Sequence, residues 1–476
     1  MRRAAVLLAL LGLGLALAAD ATPATAQPRG LALGVTDPAL SSPDAALRDE
    51  WDARASSARA DLVLLGVSWS AIAPRTRPAS FDPADPADPA YDWESLDSAV
   101  RSAVAHGLRP LLNIEFAPRW AEGPNRPSLA VAPGGTWLPQ PEELGLFSRA
   151  LAARYSGSFV DPANPGAGVL PRVRYFEIWS EQNLSFHLTP LWEGRKLVAP
   201  LHYREMLNAA YAGIHSSDPG ASVIVGGLSP FGDRFAGGSR IPPVWFWRSL
   251  LCLRGEKLWP VGCPDPAHFD IAAHNPIGVL GPSTSAFSPL DVSTPDIGRL
   301  TPIVRKAVAT GRALPARPKP FWATEIWWDS SPPDPAGVPL RRHARFVTKS
   351  LFELWQQGVS TVIWWYLRDQ APGAAGFGAT QQSGLFFREG RPKPAYRAFR
   401  FPFVAIRGRH GRILLWGKAP SPGRLVVERR SGNGWVPIAH PVAGPSRVFV
   451  ARVDAGGRFA ARARQGGEAS LPWNVR

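Results

Sequence analysis

The chain has 476 residues, 45% of them hydrophobic, which is ordinary for a folded protein and excludes a disordered one. Its formal net charge is +15, but the arginines are scattered and no lysine-rich run occurs, so the charge reads as a basic surface, with no nucleic-acid partner.

The elements follow in chain order. Arg2 and Arg3 precede an apolar run from Ala4 to Ala19, and Ala24-Thr25-Ala26 places small residues before Gln27. This is the pattern of a secretory signal peptide over residues 1–26. The apolar run is shorter than the ~20 residues a spanning helix needs, so no transmembrane anchoring is expected and the mature chain is expected to be secreted.

From there short apolar runs alternate with amphipathic segments, the pattern of repeated βα units and a parallel sheet. Eight strands are expected: Leu31 to Thr36, Leu62 to Ser68, Pro110 to Phe116, Val173 to Trp179, Ser222 to Gly227, Phe269 to His274, Pro320 to Ile326 and Thr361 to Tyr366. Helices are expected over Trp93 to His106, Pro141 to Tyr155, His202 to His215 and His343 to Gln357. Gly107 supplies a C-cap to the first of these, and Pro141 with two acids an N-terminus to the second. The fold class is therefore α/β, a (β/α)8 barrel over residues 27–405. Two Pro-rich stretches, Arg75 to Tyr91 and Ala121 to Gln140, are expected as loops forming one side of a cleft.

Beyond Arg407 the runs become short and alternating, and Gly432-Asn433-Gly434 marks a turn between two of them. Residues 406–476 are expected as a small antiparallel β-domain, sandwich-like, serving as a structural appendage or a carbohydrate-binding module. Cys252 and Cys263, close in sequence, either form a local disulfide in an oxidising compartment or remain free buried thiols. No Cys/His cluster has metal-ligand spacing and no Gly-rich phosphate loop occurs in context, so neither a metal nor an organic cofactor is expected.

Two strand ends carry unusual chemistry. The fourth ends Glu177-Ile178-Trp179-Ser180-Glu181-Gln182-Asn183 and the seventh ends Thr324-Glu325-Ile326-Trp327-Trp328. A glutamate that follows a buried run, at the barrel face where active sites lie, is a poor core residue and a good catalytic one. These segments resemble the β4 Trp-Asn-Glu-Pro-Asn and β7 Thr-Glu motifs of the large clan of (β/α)8 retaining glycosidases. The likeness is to the family of β-xylosidases, α-iduronidases and exopolysaccharide hydrolases in particular. Trp69, the Ala117-Pro118-Arg119-Trp120 segment, Asp270 to His274 and Lys393-Pro394-Ala395-Tyr396 fall in the same order as that family's landmarks.

The resemblance implies a retaining glycoside hydrolase acting on an extracellular or cell-wall polysaccharide, with Glu181 as general acid/base and Glu325 as nucleophile. Such a pair stands about 5–5.5 Å apart, and the acid needs a raised pKa. Glu177, four residues before Glu181, is expected about 13 Å deeper as a structural acid. Among the 19 tryptophans, Trp69, Trp120 and Trp327 are candidates for sugar contact, and Trp364 or Trp365 is a candidate stacking platform. Asn183 matches the last position of the β4 motif, and His274 is either a partner of sugar or glutamate or a buried structural histidine. Ser180 stands where the clan has Asn, Gln182 where it has Pro, Ile277 where Tyr is common and Leu64 where many members carry Arg. Those departures leave a second reading, a non-catalytic carbohydrate-binding protein on a glycosidase scaffold.

Overall fold

The computed structural model describes residues 29–374, 376–408 and 411–476. The expected signal peptide lies outside the described residues. Eight strands, β1 (Ala32–Thr36), β2 (Leu62–Ser68), β3 (Arg109–Glu115), β4 (Tyr175–Ile178), β5 (Ser222–Val225), β6 (Ala272–His274), β7 (Phe321–Ile326) and β8 (Val359–Trp365), form one parallel sheet. The sheet closes where Ile224 of β5 bridges Ile271, just ahead of β6. Between the strands run α1 (Ala45–Ser57), α2 (Glu94–Ala105), α3 (Pro141–Arg154), α4 (Ala199–Ser217), α5 (Pro243–Leu250), α6 (Thr301–Ala309) and α7 (Leu340–Gln356), and α8 (Pro394–Arg400) follows β8. This is a (β/α)8 barrel, as the alternation implies.

The two-residue period of a strand decides what the barrel holds. Leu62 and Leu64, Leu111, Ile224, Ile271, Ala273, Trp322 and Ile363 form a separate apolar cluster inside it, with Tyr175 packed against them. One or two steps of the same parity further along come Asn113, Glu115, Glu177, Thr324 and Trp365, which line a cavity at the C-terminal mouth. Apolar floor and polar mouth are thus one face of the same strands. The opposite parity packs against the helices.

After α8 the chain forms two larger antiparallel sheets and a short two-strand pair, Gly423–Arg424 with Val442–Ala443. One larger sheet joins β9 (Phe403–Arg407), β10 (Arg412–Lys418) and β13 (Val448–Asp454). The other joins β11 (Val426–Ser431), β12 (Gly434–Ala439), β14 (Phe459–Gln465) and β15 (Trp473–Val475). The β11–β12 hairpin closes through Gly432 and Asn433, with Gly432 at φ +53°. Asp61, which precedes β2, pairs with Lys418 and Arg447, and Glu468 pairs with Arg59 and Arg400. Trp416 packs on Phe352 and Trp355, and Trp473 lies under Arg345, so this β region runs along α7 on the flank of the barrel, and none of its described residues lines the cavity at the mouth.

Candidate active site

The cavity at the mouth has a volume of about 700 Å³. Two local irregularities bring its carboxylates together. In β7, Ala323 pairs with Val362 but Ile326 pairs with Trp364, so three steps on one strand oppose two on the other. This bulge lets the adjacent residues Thr324 and Glu325 both line the cavity, where regular alternation would send one of them away. At the end of β4 the chain stops being a strand at Ile178, and Trp179 and Glu181 take φ values of +66° and +46°. Left-handed backbone at non-glycine residues is costly and clusters at functional sites. Here it folds Glu181 back over the mouth, where its N–H donates to the Gly227 carbonyl at 2.8 Å.

The side-chain amide of Asn275 joins the two glutamates. Its Nδ2 lies 3.2 Å from Glu181 Oε1 and 3.4 Å from Glu325 Oε2. Those two oxygens therefore lie no more than 6.6 Å apart, the two lengths laid end to end. Asn275 is itself oriented by Thr324, whose hydroxyl donates to its Oδ1 at 3.1 Å. A Cβ on Gly227 would collide with both Asn275 Oδ1 and Thr324 Oγ1, so only glycine permits this close packing. Trp327 adds a further donor, Nε1 to Glu325 Oε1 at 2.8 Å.

Burial raises the pKa of Glu181 and of Glu325, and the ionised Glu181 carboxylate beside Glu325 pushes the latter higher still. Two carboxylates this close titrate as a pair that retains one proton. Glu177 accepts the Gly227 N–H at 2.9 Å, and burial lifts it to about 8. It is therefore a neutral acid at pH 7. Because β4 ends early and the chain turns back, Glu177 lines the cavity wall instead of lying far below it. The carboxylate of Glu115 faces His187 across 3.4 Å.

Several residues expected at the site lie elsewhere. Trp69 is fully buried and stacks on Phe147 at 5.5 Å, and Trp120 meets it edge-on while its Nε1 donates to the Pro74 carbonyl. Both serve the layer between barrel and helices. Asn183 is buried and ties the β4 loop to the β5 loop by donating to the carbonyls of Ser229 and Ile241. His274 points out of the barrel, donates to the Val292 carbonyl at 2.7 Å and is lowered by burial to about 4. Trp364 is buried with its Nε1 on the Ser383 carbonyl. Trp365 and Trp327 line the cavity, Trp365 stacked against Tyr366 at 4.8 Å. Cys252 and Cys263 form a disulfide.

The sequence reading passed over Asn275, although it directly follows His274, and over Tyr366, Gln370 and the 377–381 segment, which form the wall beyond β8. Neither Pro-rich loop lines the cavity. Residues 75–91 fold on themselves, with Asp82, Asp85 and Asp88 each accepting the N–H two residues on at 2.9 Å. The 121–140 loop is pinned by Glu122 to Arg126 at 2.6 Å and to the Gly135 N–H at 2.9 Å.

The barrel and its mouth can be set beside solved structures. A family 39 glycoside hydrolase from the gut symbiont Bacteroides cellulosilyticus WH2 is 16% identical, with 90% of this chain and 81% of that chain covered and a TM-score of 0.53. This chain shares that structure's (β/α)8 fold. A family 39 enzyme from Xanthomonas axonopodis pv. citri (16% identical, 90% and 93% covered, TM-score 0.48) and a glucosidase from Croceicoccus marinus (14%, 90% and 96%, 0.49) also match. No family model matches the chain, and no curated protein matches it in sequence.

Proposed function

We propose that this protein is a retaining glycoside hydrolase in which Glu181 is the general acid/base and Glu325 the nucleophile. The observation that carries the reading is the single amide of Asn275 held between both carboxylates. The ceiling of 6.6 Å that this shared donor sets admits the ~5–5.5 Å of retaining enzymes and meets only the lower edge of the ~6.5–9.5 Å that leaves room for a water between the groups. Asn275 Nδ2 serves both carboxylates, whereas Trp327 Nε1 donates to Glu325 alone and favours its ionised form against the burial that raises it; the proposed roles place the shared proton on Glu181 when substrate is bound. Glu181 then gives that proton to the glycosidic oxygen as the C–O bond breaks and a Glu325 oxygen bonds to the anomeric carbon. In the second half, water attacks that carbon, returns its proton to Glu181 and frees the Glu325 carboxylate.

The lining also narrows the substrate. Six of the described lining residues are acids, Glu115, Glu177, Glu181, Glu325, Asp329 and Asp334, and none is lysine or arginine. A sugar carboxylate or sulfate would meet those acids with only His187, already facing Glu115, as a counter-charge among the described lining residues, so the lining favours a glycan that is neutral or carries amino groups. The Cys252–Cys263 disulfide supports action outside the cytoplasmic membrane.

The test is hydrolysis of aryl glycosides of glucose, mannose, xylose, galactose, glucosamine and glucuronic acid, together with wall polysaccharides, by wild type and Glu325→Gln. Turnover of a non-acidic sugar that the variant loses is expected, as is azide rescue of Glu181→Ala. Glycan binding without turnover by the wild type would replace the enzyme with a binding protein on the same scaffold.

A further inference from the structure

The wall on the Glu181 side of the cavity carries an aromatic row that the catalytic pair does not use. Phe116, at the end of β3, lines the cavity with its backbone at φ +58°, a conformation costly for a bulky residue. His187 also lines the cavity and stacks against Phe116, ring centroids 6.0 Å apart and planes within 27°. Phe186 lies 4.7 Å from the His187 ring and is 54% exposed, so a large apolar face stands open to solvent directly outside the cavity. The segment that carries it is rigidly mounted. Leu184 N–H donates to the Glu181 carbonyl at 2.8 Å, and Trp179 Nε1 donates to the His187 carbonyl at 2.7 Å. The exposed ring and the acid therefore share one short loop, 179–187, closed at its ends by the Trp179–His187 hydrogen bond.

We propose that Phe186, with His187 and Phe116 behind it, is the platform for the leaving-group sugars. This rests on the retaining-glycosidase reading, because an acid must stand beside the oxygen it protonates, and the departing portion of the glycan lies on the acid's side. Pyranose rings present apolar C–H faces that stack on aromatic rings. A row running from the cavity wall to solvent takes at least two sugars beyond the cleaved bond. The substrate is accordingly a chain cut away from its reducing end, not a glycoside with a small leaving group.

The experiment measures binding of cellotetraose, mannotetraose, xylotetraose and glucosamine tetramer to Glu325→Gln and to the Glu325→Gln/Phe186→Ala double variant by calorimetry. At least one tetramer is expected to bind the first, and the double variant to bind it at least fivefold more weakly, with Phe186→Trp in place of Phe186→Ala restoring affinity. In the active enzyme, Phe186→Ala is expected to lower the ratio of kcat/KM on that tetramer to kcat/KM on the matching glycosyl fluoride about tenfold, since fluoride occupies no platform. Equal affinity with and without Phe186, no tetramer bound at millimolar concentration, or an unchanged ratio would each overturn the proposal. Loss of affinity on removing Phe186, in a wild type that turns over nothing, would uphold the platform while removing the glycosidase reading.

Discussion

Glu177→Gln offers a test whose size follows from the structure. Burial lifts this carboxyl from an ordinary 4.5 to about 8, against the Gly227 N–H that favours its charged form. A folded-state pKa above the unfolded value contributes stability that is fully present below pH 4.5 and is lost as pH rises through 8. Between those values unfolding releases one proton from this group, so the wild type loses about 1.4 kcal/mol per pH unit and about 5 kcal/mol in all. Glutamine has the shape of the neutral acid, can accept the same N–H and cannot ionise. Urea unfolding of both proteins from pH 5 to 9 is the assay. The variant's stability relative to wild type is expected to climb steadily to pH 8 and then level off. A difference independent of pH, or one that shrinks as pH rises, would refute a protonated Glu177.

Asn275→Ala removes the donor shared by the catalytic pair and is expected to lower kcat by about 10²–10³, as loss of a preorganised donor does elsewhere; a loss under tenfold on the substrate found active would deny it that role. Trp327→Phe keeps a ring but deletes the hydrogen bond to Glu325, so the carboxylate becomes harder to ionise and the acidic limb of the kcat/KM profile should move to higher pH; a limb that stays put or moves down would contradict the assigned donor. Lys393 and Asp369 form a fully buried ion pair at 2.6 Å, and Lys393→Met, which strands the carboxylate, is expected to destabilise by about 3–5 kcal/mol in thermal or urea unfolding.

The periodicity of the sequence determined the barrel. Eight apolar runs at βα spacing have only one economical closed arrangement, and each expected strand overlaps an observed one. It also determined that glutamates stand at the ends of β4 and β7, because an acid after a buried run has few other places to be. What it could not determine was aim. An ideal strand alternates, and by that rule Glu177 lies far below Glu181 while Thr324 and Glu325 face opposite ways. A bulge in β7 and left-handed residues after β4 break the rule, and both depend on pairing and loop contacts between segments distant in the chain.

The aromatic residues divide on the same ground. Trp364 and Trp365 are neighbours of one type, yet strand parity buries the first against the helices and turns the second into the cavity. His274 and Asn275 divide likewise, and the histidine drew notice because its chemistry is louder, although it is the amide that faces the carboxylates. The long Pro-rich loops attracted attention by length, whereas hydrogen bonds within each loop keep both off the cavity wall. Local pattern determines which elements form. Which side chains converge is decided by register, bulges and loop anchoring, and those exist only once the barrel has closed.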